Sequence, residues 1–259
     1  MASTTTPLSR WTQAKLKTIE ALADLYCATP KDIAEYLKVR KPSTHDIRGI
    51  RATLDRIQHH DSHAKYLSKK PYFMRTSLYG LNDSGVHYAR EILGFADARA
   101  FEIKDPDHEH LITRFHVKAM QLAHKRGWEI TWKQEAVDHR RLINPDAVMT
   151  LGTLKGAFVF PVEPERQSFT ENHLKKGKKY FDVYGKEAAF KQFGAEKIRP
   201  IFITLSHRKR DTMLEKFAEE YPYRMFWFTT VDDFERDISG KIFLTPKDYK
   251  TTRYSFLDL

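Results

Sequence analysis

From Thr12 to Cys27 apolar residues recur at Leu16, Ile19, Leu22, Ala23 and Tyr26, the three-and-four spacing of an amphipathic helix. Thr29 then offers a cap, and Pro30 a first helical position, for a second and shorter helix through Ile33, Ala34 and Leu37. After a break at Val39 to Pro42, Ser43 or Thr44 caps a third helix whose expected buried stripe is Ile47, Ile50, Leu54 and Ile57. Lys65 to Leu67, a turn carrying Lys69, Lys70 and Pro71, and Tyr72 to Leu81 read as a β-hairpin, and Asn82 to Leu93 resumes as helix. Three helices with a short connection before the third fit a helix-turn-helix unit, and a basic hairpin behind it reads as a wing. Residues 1–11 are expected to form a disordered tail, 12–94 the winged-helix domain and 95–108 a linker of mixed charge without a clear period.

Periodicity changes in the second part, 109–259. Glu109 to Arg126 places Leu111, Phe115, Ala119, Leu122 and Ala123 on one face, and Gly127 stands where a left-handed residue ends a helix. A strand follows from Trp128 to Val137, then Asn144-Pro145-Asp146, then two apolar runs, Ala147 to Leu151 and Ala157 to Val162, that read as a hairpin around residues 152–156. Ile198 to Leu205 and Met225 to Thr230 read as further strands, with helices over Lys209 to Glu220 and Val231 to Ile238, while Thr245 to Leu259 carries no assignable pattern. The expected fold class is therefore α+β or α/β, a winged helix-turn-helix followed by a mixed sheet covered by helices.

The 259 residues are 41 % hydrophobic and 13 % aromatic, enough to bury a sizeable core, so disorder is a poor default. Forty-four Lys and Arg against thirty-four Asp and Glu leave a net charge of +10, which favours a polyanionic partner. Sixteen basic and ten acidic residues fall in 1–100, so +6 of that excess lies in the part that reads as DNA-binding. The exposed face of the third helix would present His45, Arg48, Arg51 and Arg56, side chains suited to phosphates and guanine edges, with Lys69, Lys70 and Arg75 on the hairpin. An ordinary solvated face is the plain alternative. A single cysteine, Cys27, makes neither an internal disulfide nor a Cys-rich zinc site, and a reducing cytoplasm is the expected setting. No signal-peptide run and no stretch of roughly 18 apolar residues is seen, so no membrane partner is expected. A nucleotide-binding P-loop is also absent, since Gly177-Lys178-Lys179 lacks the upstream glycine.

The hairpin over 147–162 carries the candidate chemistry. With its turn centred near residues 154 and 155, Asp146 falls opposite Glu163, within roughly 5 Å across the strands, and Glu165 shares that face if the strand passes Pro164. Carboxylates gathered at one end of a sheet are a usual way to hold Mg²⁺, for which Asp146 and Glu163 would be the ligands. A turn aspartate beside a solvated glutamate pair is the bland alternative, and a one-residue slip would turn Asp146 away.

The order of elements resembles the core of PD-(D/E)xK nucleases: a helix, three strands with Pro-Asp opening the second and Glu-x-Glu closing the third, then a basic helix and a strand. This chain departs from that pattern at Glu165, which stands where those enzymes carry a lysine. Lys175, Lys176, Lys178 and Lys179 on the next helix are candidates to supply that charge, with Lys179 taken as the catalytic one, and the alternative is a DNA-facing or solvated run. Together with Glu109-His110, Trp132 to Glu135 and Val162-Glu163-Pro164-Glu165-Arg166, the winged helix and the Lys/Tyr-rich helix to Tyr184 resemble the replication-relaxation family of plasmid and mobile-element proteins, from about Thr12 to Phe234. The resemblance implies double-stranded DNA binding in plasmid replication or relaxation and leaves catalysis open, with Asp146 and Glu163 as a metal or DNA-backbone site, Glu165 and Arg166 its neighbours, Glu135 an extra carboxylate, and Asp146, Glu163 and Glu165 the catalytic candidates. His110 matches a family histidine at a helix start, a position where a cap or packing role is commoner. A homodimer and replication or relaxation proteins are expected partners. An Mg²⁺-dependent endonuclease or nickase and a dimeric transcription repressor are the competing readings.

Overall fold

The structure, a computed structural model, describes residues 12–38, 41–59, 66–72, 76–102, 105–134, 142–166, 169–195 and 197–259. Among them stand nine α-helices and two sheets, one of them mixed, in an α+β arrangement. Two compact units divide between Thr113 and Arg114, inside a single helix.

Unit one begins with α1 (Gln13–Leu25), capped by Thr12, whose buried face is Thr18, Ile19, Ala21, Leu22 and Leu25. Tyr26, at φ 63°, turns the chain sharply toward α2 (Pro30–Lys38). There the Thr29 hydroxyl accepts from the Asp32 amide at 3.2 Å while Asp32 accepts from the Thr29 amide at 2.8 Å, a reciprocal cap. Ser43 and Asp46 repeat the device at the start of α3 (Thr44–His59). The expected stripe of α3 is only half realised: Leu54 and Ile57 are fully buried with Thr53, but Ile47 and Ile50 are half-buried. Only the second half of α3 is pressed into the core, and its first half projects toward solvent.

A two-stranded antiparallel sheet follows, β1 (Leu67–Tyr72) and β2 (Thr76–Leu81), then α4 (Asp83–Glu91) capped by Asn82. Here the structure corrects the expected hairpin. Lys69, Lys70 and Pro71 lie within β1, and pairing of Tyr72 with Thr76 moves the turn to residues 73–75, outside the described residues together with Arg75. The lysine stems lie over aromatic rings, Lys69 on Tyr79 at 5.5 Å and Lys70 on Phe101 at 5.7 Å, a packing that a strand surface offers and a turn does not. Pro71 is tolerated because β1 has one neighbouring strand. The stretch expected as a linker also packs: the Phe101 amide donates to Leu81 at 2.7 Å, and Phe101 joins Cys27 and Leu78 in a small core. The next helix, α5 (Pro106–Arg126), starts three residues before Glu109.

Unit two holds a five-stranded sheet in the order β3-β4-β5-β6-β7, with ranges Glu129–Gln134, Ala147–Thr153, Gly156–Glu165, Ile201–Thr204 and Trp227–Thr230. The first three strands are antiparallel and the last three parallel. Parallel neighbours need crossovers. These are α6 (Glu171–Val183) with α7 (Glu187–Phe193) between β5 and β6, and α8 (His207–Glu220) between β6 and β7; α9 (Val231–Asp237) follows. A core rich in Phe202, Phe217, Phe226 and Phe228 sits between the helices and one sheet face. The terminal segment, unreadable from pattern, is anchored by bridges Phe228 to Leu244 and Phe243 to Tyr254 and ends in a 3-10 turn, Phe256–Asp258. No helix among the described residues is long and apolar enough to cross a membrane.

Two helical glycines make opposite demands. A Cβ at Gly177 in α6 would lie 2.6 Å from the fully buried Phe217 ring of α8, whereas one at Gly49 in α3 meets open space. Gly177→Ala is expected to destabilise by about 1–2 kcal/mol, overpacking outweighing the helix-propensity gain, while Gly49→Ala stabilises by about 0.5–1 kcal/mol. Urea unfolding of the two variants checks both signs.

Candidate functional site

The β4–β5 hairpin adopts the register that the sequence suggests. Thr153 pairs with Gly156 across a two-residue turn and Ala147 with Val162, so Asp146 and Glu163 are the next pair along. β5 continues past Pro164, with Glu165 paired to Thr204 of β6. Glu163 and Glu165 therefore share a face at the end of the sheet, and Glu163 is completely buried.

Opposite them α6 presents His173, Lys176, Gly177 and Tyr180 on its inward face, the three-and-four spacing of residues one and two turns apart. Thr170 and His173 fix the start of this helix by a capping box. Lys176 Nζ touches Glu163 Oε2 and stands 3.8 Å from both Asp146 Oδ2 and Glu165 Oε1. The Tyr180 hydroxyl donates to Glu163 Oε1, and His173 Nε2 donates to Glu165 Oε2 at 2.8 Å. All three sequence-predicted carboxylates thus converge on one ammonium.

The electrostatics follow from burial. Desolvation raises the Glu163 carboxyl well above the usual carboxylate range; Lys176 pulls it down, but Asp146, interacting with Glu163, pushes it further up. Burial also opposes charge on Lys176, yet the attraction of Glu163, Asp146 and Glu165 outweighs it and the ammonium is held protonated. Burial likewise lowers His173, but the hydrogen bond and charge of Glu165 raise it net above its ordinary value. The result is a lysine cation between carboxylates, of which the fully buried Glu163 holds its proton more tightly than an ordinary carboxyl.

Lys179, expected as the catalytic lysine, does not reach this cluster: it is exposed on the outer face of α6, one helical residue away from the inward stripe, and Lys176 takes the position. Lys175 and Lys178 are exposed too. Glu135 lies outside the described residues. As a holder of Mg²⁺ the cluster does not fit as it stands, because Lys176 already fills the space the carboxylates enclose; no group of three or more His, Cys, Asp or Glu is arranged for a metal among the described residues. His173 and Tyr180 escaped the sequence reading, although polar residues at 173, 176 and 180 along one helix stripe were the available signal.

The other singled-out residues divide into structural and exposed groups. His110 Nε2 donates to buried Asp32 at 2.8 Å, and its Nδ1 accepts from the Tyr72 hydroxyl at 3.2 Å, which ties α5 to the α2 cap and to β1 within unit one. Cys27 is buried with its thiol pushed up by desolvation. In the cluster 207–210, Arg210 is buried against Asp233 at 3.0 Å and Lys209 donates to the Arg166 carbonyl at 2.6 Å, leaving Arg208 to solvent. On α3, His45, Arg48, Arg51 and Arg56 are all exposed, and none of the four forms an ion pair with a described residue. On β1, Lys69 is exposed and Lys70 half-buried. No family model, curated protein or solved structure matches the chain.

Two pH windows test the cluster. Glu163 keeps its proton to higher pH when folded than when unfolded, so its contribution to stability is lost as pH rises from about 4.3 through its raised value. His173 has the same sign from about pH 6.5 upward. Glu163→Gln should therefore flatten the decline of unfolding free energy from the lower pH onward, and His173→Gln only in the upper window, as read by urea unfolding across pH. Lys176→Met, which leaves the carboxylates without their cation, should cost about 3–5 kcal/mol at neutral pH in the same assay.

Proposed function

We propose that this chain is a double-stranded DNA-binding protein in which unit one is a winged helix that reads DNA through α3, and unit two is a nuclease-like fold without metal-dependent hydrolysis. The observation that carries the reading is the first half of α3: His45, Arg48 and Arg51 stand exposed, with Gly49 between them and Arg56 on the same helix, free of ion pairs with described residues. Guanidinium groups left without protein partners on one helix are suited to phosphates and base edges. Lys69 and Lys70 on the following hairpin add charge in the place of a wing.

For unit two, the order helix, three antiparallel strands, helix and parallel strand supports the likeness to nuclease cores, and the paired Asp146 and Glu163 sit where such a fold concentrates acid. Lys176 stands among the acids, where a displaced nuclease lysine would also stand, but it fills the space a metal ion would take, and with Glu165 in place of the usual lysine this supports a degenerate centre over a hydrolytic one. The resemblance to the replication-relaxation family gives the setting: DNA of a plasmid or mobile element, with replication or its regulation as the task. A homodimer on paired half-sites belongs to the same proposal.

Fluorescence anisotropy with a labelled duplex at two salt concentrations tests this. Binding is expected to weaken steeply with salt, and Arg48→Ala/Arg51→Ala to weaken it by at least about tenfold with a salt slope lower by about 1–2. Supercoiled plasmid incubated with the protein and Mg²⁺ or Mn²⁺ is expected to stay intact. Nicking that requires metal and disappears in Asp146→Ala would replace the degenerate reading with an endonuclease.

A further inference from the structure

α6 has a second face that the carboxylate cluster does not use. Lys175, Lys178 and Phe181 follow one another at three-residue spacing, a single ridge on the outer side of the helix. Phe181 is 36 % exposed and Tyr223, from the loop after α8, is 46 % exposed. Their rings stack at 5.0 Å between centroids and 23° between planes, and Tyr221 lies tilted at 5.7 Å from Phe181. Aromatic rings are ordinarily drawn into a core, and here two remain partly exposed side by side. Lys178 stands one helical turn before Phe181 on the same ridge, with its charge shared with Asp182, and Glu220 is the acidic neighbour of Tyr221.

We infer that this outer face of α6, with Tyr223, is a binding site for single-stranded DNA, in which an unpaired base extends the Phe181–Tyr223 stack on its solvent side and the lysine ridge follows the phosphates. Charge complementarity selects the occupant. Lys175 and Lys179 form no ion pair with described residues, and Lys178 is held only by a solvent-exposed pair with Asp182 at 2.7 Å, which a phosphate can displace at little cost. A polyanion that also offers flat π faces satisfies both halves of the surface, and base stacking on aromatic side chains needs no particular sequence. A paired duplex keeps its base faces covered, so this site takes a strand that is already open. It acts in addition to groove reading by α3 and does not depend on it.

The test is anisotropy of the full-length chain with a fluorescein-labelled thymidine homopolymer, beside the labelled duplex. Phe181→Ala/Tyr223→Ala should weaken binding of the homopolymer by about tenfold or more and leave duplex binding unchanged. Phe181→Tyr, which keeps a ring on the ridge, should retain most of the affinity, and Phe190→Ala, an exposed phenylalanine on α7, should not alter it. Circular dichroism melts of each variant separate lost binding from lost folding. No binding of the homopolymer by the native chain, or equal binding by the double variant, overturns the inference; so does a double variant that loses only self-association in sedimentation, which would assign the face to a second copy. Failure of duplex binding alone would remove the α3 reading and leave this one standing.

Discussion

Burying the Glu163 carboxylate inside a sheet costs several kcal/mol unless the group is neutralised or fully hydrogen-bonded. Unit two is arranged around that requirement. One oxygen takes the Tyr180 hydroxyl, the other takes Lys176, and burial beside Asp146 raises the carboxyl so that it gives up its proton less readily. Both donors come from α6, so the helix has to lie close against the sheet end and in one rotational setting. Gly177, between the two donors, permits the approach of Phe217 on the other side. Packing of α6 on α8 and neutralisation of Glu163 are in this way two consequences of the same placement.

The same helix explains why the carboxylates form a closed cluster. Asp146 and Glu165 each stand 3.8 Å from the ammonium that contacts Glu163, and His173 takes an oxygen of Glu165. Each acid has a basic neighbour within the chain. On α3 the situation is reversed: its caps are internally satisfied through Ser43 and Asp46, yet the arginines beyond them have no acids to pair with among the described residues. A neutralised acidic centre in unit two thus contrasts with exposed arginines on α3 that form no ion pair with described residues.

How much of this was legible depended on the range of the interaction. Capping is local, so Thr29 and the Ser43–Thr44 pair could be read at their helix starts, and the structure places caps at Thr29 and Ser43. The β4–β5 register could also be read, because a short turn and alternating burial fix the pairing of Ala147 with Val162 and carry Asp146 to Glu163. The β1–β2 hairpin was misplaced, since Lys69-Lys70-Pro71 has turn-like composition while cross-strand contact with Tyr79 makes it strand. Ile47 and Ile50 are only half-buried, a difference from Leu54 and Ile57 that periodicity does not encode.

By itself the sequence determined the order of most helices and strands, α7 and the last residues excepted, the facing of Asp146 and Glu163, and the run of lysines on the helix after them, because each is set by residues a few positions apart. Only the tertiary structure decided which lysine enters the acidic cluster. Residues 175 to 179 span more than one helical turn, and it is the contact of α6 with β5 and α8 that turns Lys176 inward and leaves Lys175, Lys178 and Lys179 in solvent. The partners of His110 and the meeting of Phe181 with Tyr223 were decided in the same way, by contacts between residues 78 and 42 positions apart or less that no local pattern specifies.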